Sequence, residues 1–146
     1  MPTHAETRTL PYSAEHMFNL VADVEHYPDF LPWCTAIRVQ HRKKNIIHAD
    51  MMIGFKMFRE NFTTQVQLTP YQRIDVSYSN GPFKYLNNYW IFEPTQDGGC
   101  KIDFYIEFEF RSIILQKTIG VVFNEAVQKM INAFEARAEK IYRSGS

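Results

Sequence analysis

Two cysteines are all that this 146-residue chain carries, Cys34 and Cys100, far apart and without CxxC spacing. They offer no disulfide framework and argue against a zinc site. Two free thiols in a reducing compartment are the expectation. Net charge is missing as well: 16 basic and 16 acidic side chains cancel, so no global field draws DNA or a polyacidic partner. No run of 18 apolar residues occurs, which leaves no helix to span a membrane. The N-terminus shows neither the basic n-region nor the apolar h-region of a signal peptide. Catalytic signatures are equally lacking, with no G-x-S-x-G, HExxH, P-loop or GxGxxG. His4, His16, His26, His41 and His48 are scattered over different elements without ligand spacing, so no metal is expected. Glu107 and Glu109, two apart on a strand, both point to water and make no paired-carboxylate site.

What is abundant is aromatic and alternating. Twelve Phe, eight Tyr and two Trp suit a β-rich domain and equally an apolar pocket. From Cys100 to Phe110, Ile102, Phe104, Ile106, Phe108 and Phe110 share one face, and Lys101, Asp103, Tyr105, Glu107 and Glu109 share the other. Strict period-two alternation of this length predicts a long, half-buried antiparallel strand. An apolar-striped segment of about 30 residues without proline follows, long enough for a helix of roughly 45 Å. Upstream, Thr3–Leu10 reads as a first strand. Ser13 reads as the N-cap of a short helix over Glu15–Ala22. The prolines at 28 and 32 limit the next helix to a turn or two. Strands are predicted at Trp33–His41, Ile46–Phe55, Arg59–Thr69, Arg73–Ser79 and Tyr85–Phe92, with a turn at Asn80-Gly81-Pro82 and a loose tail at Arg143-Ser-Gly-Ser146. The expected architecture is α+β: one domain over residues 1–146, a curved antiparallel sheet of about seven strands around a long C-terminal helix, with two short helices after the first strand.

Alternation turns Ala49, Met51 and Ile53 inward, then Phe62, Thr64, Val66 and Leu68, then Ile74, Val76 and Tyr78, then Leu86, Asn88, Trp90 and Phe92. On the last helix Ile119, Phe123, Val127, Met130, Phe134, Ala138 and Ile141 share one face, with Asn132, Glu125, Gln128, Glu139 and Arg143 opposite. The inward set is apolar apart from Thr64, Asn88 and the Tyr78 hydroxyl. A helix gripped by a curved sheet leaves a gap for an apolar ligand, and the candidate cavity residues are Met51, Phe62, Thr64, Tyr78, Asn88, Trp90, Phe104, Phe123, Met130 and Phe134. Each is needed as core whether or not anything binds. Arg137 interrupts the stripe: either it snorkels past the sheet rim or it meets an acidic group or a ligand head. Gln116 invites the same question. Ile114 and Val121 make the helix start apolar nearly all round, and Tyr27, Phe30, Leu31 and Trp33 add large apolar groups. Either these two regions meet as an entrance that docks on a bilayer or partner, or they simply pack away; the sequence leaves both open.

His26-Tyr-Pro-Asp-Phe-Leu-Pro-Trp-Cys34, Gly81-Pro-Phe83 with Trp90-Ile-Phe92, Phe108-Glu-Phe-Arg-Ser112, and Val122-Phe-Asn-Glu-Ala-Val-Gln-Lys-Met130 with Ala133-Phe-Glu-Ala-Arg-Ala138 together resemble the coenzyme Q-binding protein family. That family lies within the START/polyketide-cyclase superfamily of helix-grip folds. The likeness runs from about Thr7 to Tyr142. It implies a non-enzymatic binder of ubiquinone or related isoprenoid lipids that supports respiratory electron transfer and quinone biosynthesis, with no cofactor beyond the bound quinone. A bacterial branch of ribosome-association toxins implies a ribosomal partner instead. An aromatase/cyclase-type enzyme is the third expectation, since it shares the fold. Pro32-Trp33-Cys34 and Phe110-Arg111-Ser112 look more like the quinone branch. His41-Arg-Lys-Lys44, the one dense basic run, reads as a solvated turn. Without the presequence of eukaryotic members the expectation is a bacterial cytoplasmic protein peripheral to the inner membrane, or a trimmed mitochondrial one.

Overall fold

The computed structural model describes residues 3–31, 33–55 and 58–142, except for the side chains of Phe55, Phe58, Val121 and Val122. The loose tail from Arg143 onward and the proposed entrance side chain of Val121 therefore lie outside the described residues. Seven strands form a single antiparallel sheet: β1 (Thr3–Leu10), β2 (Cys34–Lys43), β3 (Ile46–Phe55), β4 (Phe58–Thr69), β5 (Arg73–Asn80), β6 (Phe83–Pro94) and β7 (Cys100–Phe110). Their order across the sheet is β1-β7-β6-β5-β4-β3-β2, so β1 and β2 are the edges. Between them in sequence lie α1 (Ala14–Ala22), a short 3-10 turn (Val24–His26) and the one-turn α2 (Tyr27–Phe30); α3 (Ile113–Tyr142) closes the chain.

Local chemistry explains these boundaries. The Ser13 side chain accepts the His16 N–H at 3.0 Å, capping α1, and Ser112 caps α3 through Leu115 N at 3.2 Å. Pro28 sits in the first turn of α2, where its missing N–H costs nothing. Strands run further than alternation alone indicated: β2 reaches Lys43, and β6 spans Phe83–Pro94. The basic run at His41 is thus mostly strand, and the turn begins at Lys44, whose φ is 48°. Extra residues interrupt β2 between Cys34 and Ala36, β5 between Tyr78 and Asn80 opposite Thr63 and Thr64, and β6 between Phe83 and Tyr85. Such bulges bend a strand and increase its twist. They help curl the sheet so that its inner face is concave toward α3.

The core fills that concavity. Ile119, Phe123, Val127, Met130, Phe134 and Ala138 of α3 are all buried, as the 100° projection requires. Ile131 is buried too, which the projection missed, while Ile141 is 42% exposed. The last turn of α3 runs past the apolar interior. There Tyr142, not Ile141, makes the contact: its ring stacks on His16 at 4.3 Å and its hydroxyl donates to His16 O at 2.9 Å. Phe18 on α1 packs edge-on against Phe92, pinning the short helix over the same end.

The β5–β6 turn has no room for a side chain at Gly81. Its φ is +145°, and a Cβ would lie 2.7 Å from Phe62 Cβ and 3.1 Å from Asn61 O. Gly98 also has a positive φ (+88°) but faces open space. Gly81→Ala is therefore expected to cost about 2–3 kcal/mol through clash plus backbone strain, and Gly98→Ala only about 1 kcal/mol. Thermal unfolding of the two variants measures the difference, with Gly81→Ala melting several degrees lower.

Candidate functional site

Between the concave face and α3 lies a cavity of about 180 Å³, room for on the order of a dozen water-sized units. Every strand except β1 contributes to its wall, together with Val24, Tyr27, Leu31, Trp33 and the middle of α3. Nine of the ten cavity candidates lie on that wall: Met51, Phe62, Thr64, Asn88, Trp90, Phe104, Phe123, Met130 and Phe134. Tyr78 does not. Its hydroxyl accepts the Phe83 N–H at 3.1 Å and its ring meets Phe83 edge-on, so it braces the β5–β6 turn instead of presenting a donor.

The aromatic wall is a network of edge-to-face contacts. Trp90 meets Phe104 at 4.7 Å and Phe134 at 5.1 Å, and Phe108 meets Phe123 at 5.3 Å. Phe83 meets Phe62, Tyr78 and Phe108 in the same way and stacks on Phe110 at 4.6 Å. Such pairs add about 0.5–1.5 kcal/mol each beyond burial. Phe83 was missed by alternation because it follows directly on the Gly81-Pro82 turn. Ile37 of β2 is another wall residue.

Few polar atoms reach this wall. Thr64 is buried, and its hydroxyl donates to Ala49 O at 3.4 Å. The Asn88 Nδ2 donates to Tyr105 O at 2.8 Å. The Tyr27 hydroxyl donates to Val21 O, and burial pushes its pKa upward. No Asp, Glu, His, Lys, Arg or Cys contributes to the described wall. Among the described residues no group of three or more His, Cys, Asp or Glu is placed to hold a metal ion.

The expected entrance is rearranged. Tyr27 and Leu31 are buried cavity-wall residues, and Phe30 packs edge-on against Tyr27 and Phe134. Trp33 is half-buried on the same wall. Ile114 stands 76% exposed at the start of α3, beside Ile113 at 75%. Because Tyr27 and Phe30 seat on Phe134, some 20 residues along α3 from Ile114, roughly 30 Å of helix separates these two from Ile114. α2 is short and apolar on its inner side, so it is drawn into the core instead of standing at a rim.

Arg137 lies over the Phe30 ring at 5.2 Å, is absent from the cavity wall, and buries its Nε without a hydrogen-bond partner. Gln116 accepts the Phe110 N–H at 2.8 Å, a structural role that closes the β7–α3 turn. The inward row of β1 holds a feature that the sequence reading did not use. Glu6 takes hydrogen bonds from Arg8 and His4, and Arg8 also pairs with Glu135 of α3. Partial burial pushes the Glu6 carboxyl up, but the bonds and charges of Arg8 and His4 outweigh it and leave the group below its ordinary value. The signal was the alternation of His4, Glu6 and Arg8 on one face of an otherwise short strand.

Comparison with known proteins places this geometry. The family described as "Polyketide cyclase / dehydrase and lipid transport" matches residues 10–135. The chain belongs to that family. Within it, the chain is 38% identical over 142 residues to the ribosome association toxin RatA of Escherichia coli K12, covering 97% of this chain and 90% of that protein. It is 33% identical over 143 residues to the mitochondrial coenzyme Q-binding protein COQ10 homolog B of Xenopus laevis, covering 95% of this chain and 59% of the other. Both branches expected from the motifs are thus present. Identity is the higher of the two toward the toxin, although the Pro32-Trp33-Cys34 detail had pointed to the quinone side. The solution structure of the 18 kDa protein CC1736 from Caulobacter crescentus shares the fold with a TM-score of 0.78 at 38% identity, covering 97% of this chain and 99% of that one.

Both cysteines of this family member are buried and free. Burial pushes the Cys34 thiol up to about 11, outweighing its contact to Ala36 O, and pushes Cys100 up to about 11 as well. A thiol must ionise to act as a nucleophile. Iodoacetamide at neutral pH is therefore expected to leave both unmodified in the folded protein and to label both in urea, with intact-mass spectrometry counting the adducts.

Proposed function

We propose that this protein binds ubiquinone or a related polyprenyl lipid in the cavity and delivers it without catalysing a reaction. The observation that carries this reading is the wall itself: about 180 Å³ of space lined almost wholly by carbon, with isolated amide and hydroxyl groups. A mostly apolar pocket with a few placed polar groups is the usual form of a small-molecule site, and a quinone offers a matching apolar tail with two carbonyl acceptors. The lack of acids, bases and thiols on the described wall supports carriage over proton-transfer chemistry, although the family also includes cyclases by its description. The similarity to a coenzyme Q-binding protein over 95% of this chain supports the same ligand class. No helix among the described residues is long and apolar enough to cross a membrane. The reading places the protein in the bacterial cytoplasm, peripheral to the inner membrane.

A short-chain ubiquinone at about 100 times its Kd is expected to stabilise the protein by about 2.7 kcal/mol, or roughly 5–10 °C in Tm. Met130→Glu, mid-helix on the cavity wall, is expected to abolish that shift while circular dichroism still reports a folded chain. An unshifted Tm in the unsubstituted protein counts against the reading, and so does the lack of any quinone in organic extracts of protein purified from its host.

A second reading is favoured by one observation, the 38% identity to a ribosome association toxin over 97% of this chain. Here the partner is the ribosome. Sucrose-gradient profiles separate the two: a toxin of that kind depletes the joined-subunit peak when the protein is added, whereas a lipid carrier leaves it unchanged.

A further inference from the structure

The histidines are not equivalent in the fold. His4 is tied to Glu6 at 2.8 Å and His26 to Asp23 at 2.7 Å, while His16 lies flat on the Tyr142 ring. His41 and His48 remain. Their side chains hydrogen-bond to no described residue, and their rings are neighbours, with 5.6 Å between centres and a tilt of 38°.

The sheet brings this pair together. His41 stands directly opposite His48 in the β2–β3 pairing. Ile47 and Ala49, on either side of His48, are buried against the core, so His48 points to the outer face of the sheet. Alternation from Ile37 and Val39 would turn His41 inward. An extra residue, Gln40, interrupts the register between Val39 and His41 and turns His41 outward beside its partner. His41 is exposed and His48 half-buried, so both rings are free to turn about their side-chain bonds.

Neutral imidazole is a preferred ligand of Zn²⁺, Ni²⁺ and Cu²⁺. With a metal–nitrogen distance of about 2.0–2.1 Å, a shared ion lies about 3.2 Å from each ring centre, and tetrahedral ligation sets the two centres about 5.2 Å apart. The observed 5.6 Å leaves little adjustment to make. The flanking charges are mixed. Arg38 faces Asp50 across the same strand pair, and hydrogen bonds from Thr63 and Gln40 hold the Asp50 carboxyl below its ordinary value. Lys43 follows on the same face and opposes a bare cation, which keeps the affinity modest.

We infer that His41 and His48 form a two-histidine site for a divalent first-row transition metal ion, with its other positions open to water or to a donor from another molecule. This site lies on the face of the sheet opposite the cavity and does not depend on either functional reading. A bound ion ties β2, an edge strand with a partner on one side only, to β3.

The test titrates the chlorides of zinc, nickel and copper into the full chain at about pH 7.5, where imidazole in general is neutral. Two histidines in place of the four ligands of a structural site predict a Zn²⁺ Kd of about 10–100 µM by calorimetry. Cu²⁺ is expected to bind more tightly than Ni²⁺, and Mg²⁺, which prefers oxygen ligands, not to bind at the pair. The imidazole signals of His41 and His48 shift together in ¹H–¹⁵N spectra as Zn²⁺ is added. His41→Gln and His48→Gln each weaken Zn²⁺ by at least about 10-fold, and His16→Gln leaves it within about 2-fold. Thermal unfolding without metal checks that these surface variants are folded. Three results overturn the site: Zn²⁺ that saturates the protein without moving both imidazole signals, either Gln variant of the pair keeping the full affinity, or a Kd above about 1 mM.

Discussion

A straight helix laid across a strongly curved sheet can touch it only along part of its length, and everything else in this molecule follows from that mismatch. α3 is 30 residues long, roughly 45 Å. It draws closest to β7, α1 and α2. Strands β3 to β5 face it across the cavity that they line together. The bulges in β2, β5 and β6 deepen the curl and so widen the gap. Filling it completely with larger side chains would give a tighter core, since interiors otherwise pack like organic crystals. The unfilled remainder is the cavity.

Polarity is sorted across α3. On the cavity side, hydroxyl and amide groups are tied to backbone carbonyls, so that the surface turned inward is mostly carbon. On the side facing β1, Glu6, Arg8 and Glu135 form an ion cluster with His4 at its margin. Ile131 and Phe134 border both that cluster and a smaller recess next to it. Ionic contacts at such partly exposed sites are worth little individually. Their geometry still matters, because they register an edge strand that has a sheet partner on one side only against the helix that roofs the cavity.

Most of the architecture was legible from alternation and capping, because the physical rules behind them are local. β7 could be read from Cys100 to Phe110 because its two faces differ at every step, and β1 and β3 likewise showed their limits. The cavity wall was legible to the same degree, since inward residues of a single sheet around a single helix must line whatever space remains. Failures occurred where a non-local contact decides. Tyr78 has the inward parity, but the chain reversal at Gly81 brings Phe83 N within reach of its hydroxyl. Ile141 has the right helical angle, but the interior ends before it does. Tyr27 and Leu31 looked like a rim because prolines broke the segment, and only their burial on the cavity wall, with Tyr27 edge-on to Phe134, reveals them as core. The acidic and basic residues of β1 were read as an ordinary strand because their partner, Glu135, is 127 residues away from Arg8.

The chain has two tryptophans, and Trp33 and Trp90 both belong to the cavity wall. One comes from the segment leading into an edge strand and the other from the middle of β6, so they view the same space from different sides. Ultraviolet emission from this protein is therefore almost entirely light from the cavity. Its colour and yield report what occupies that volume, including water, lipid or a quenching ring, without any label being attached.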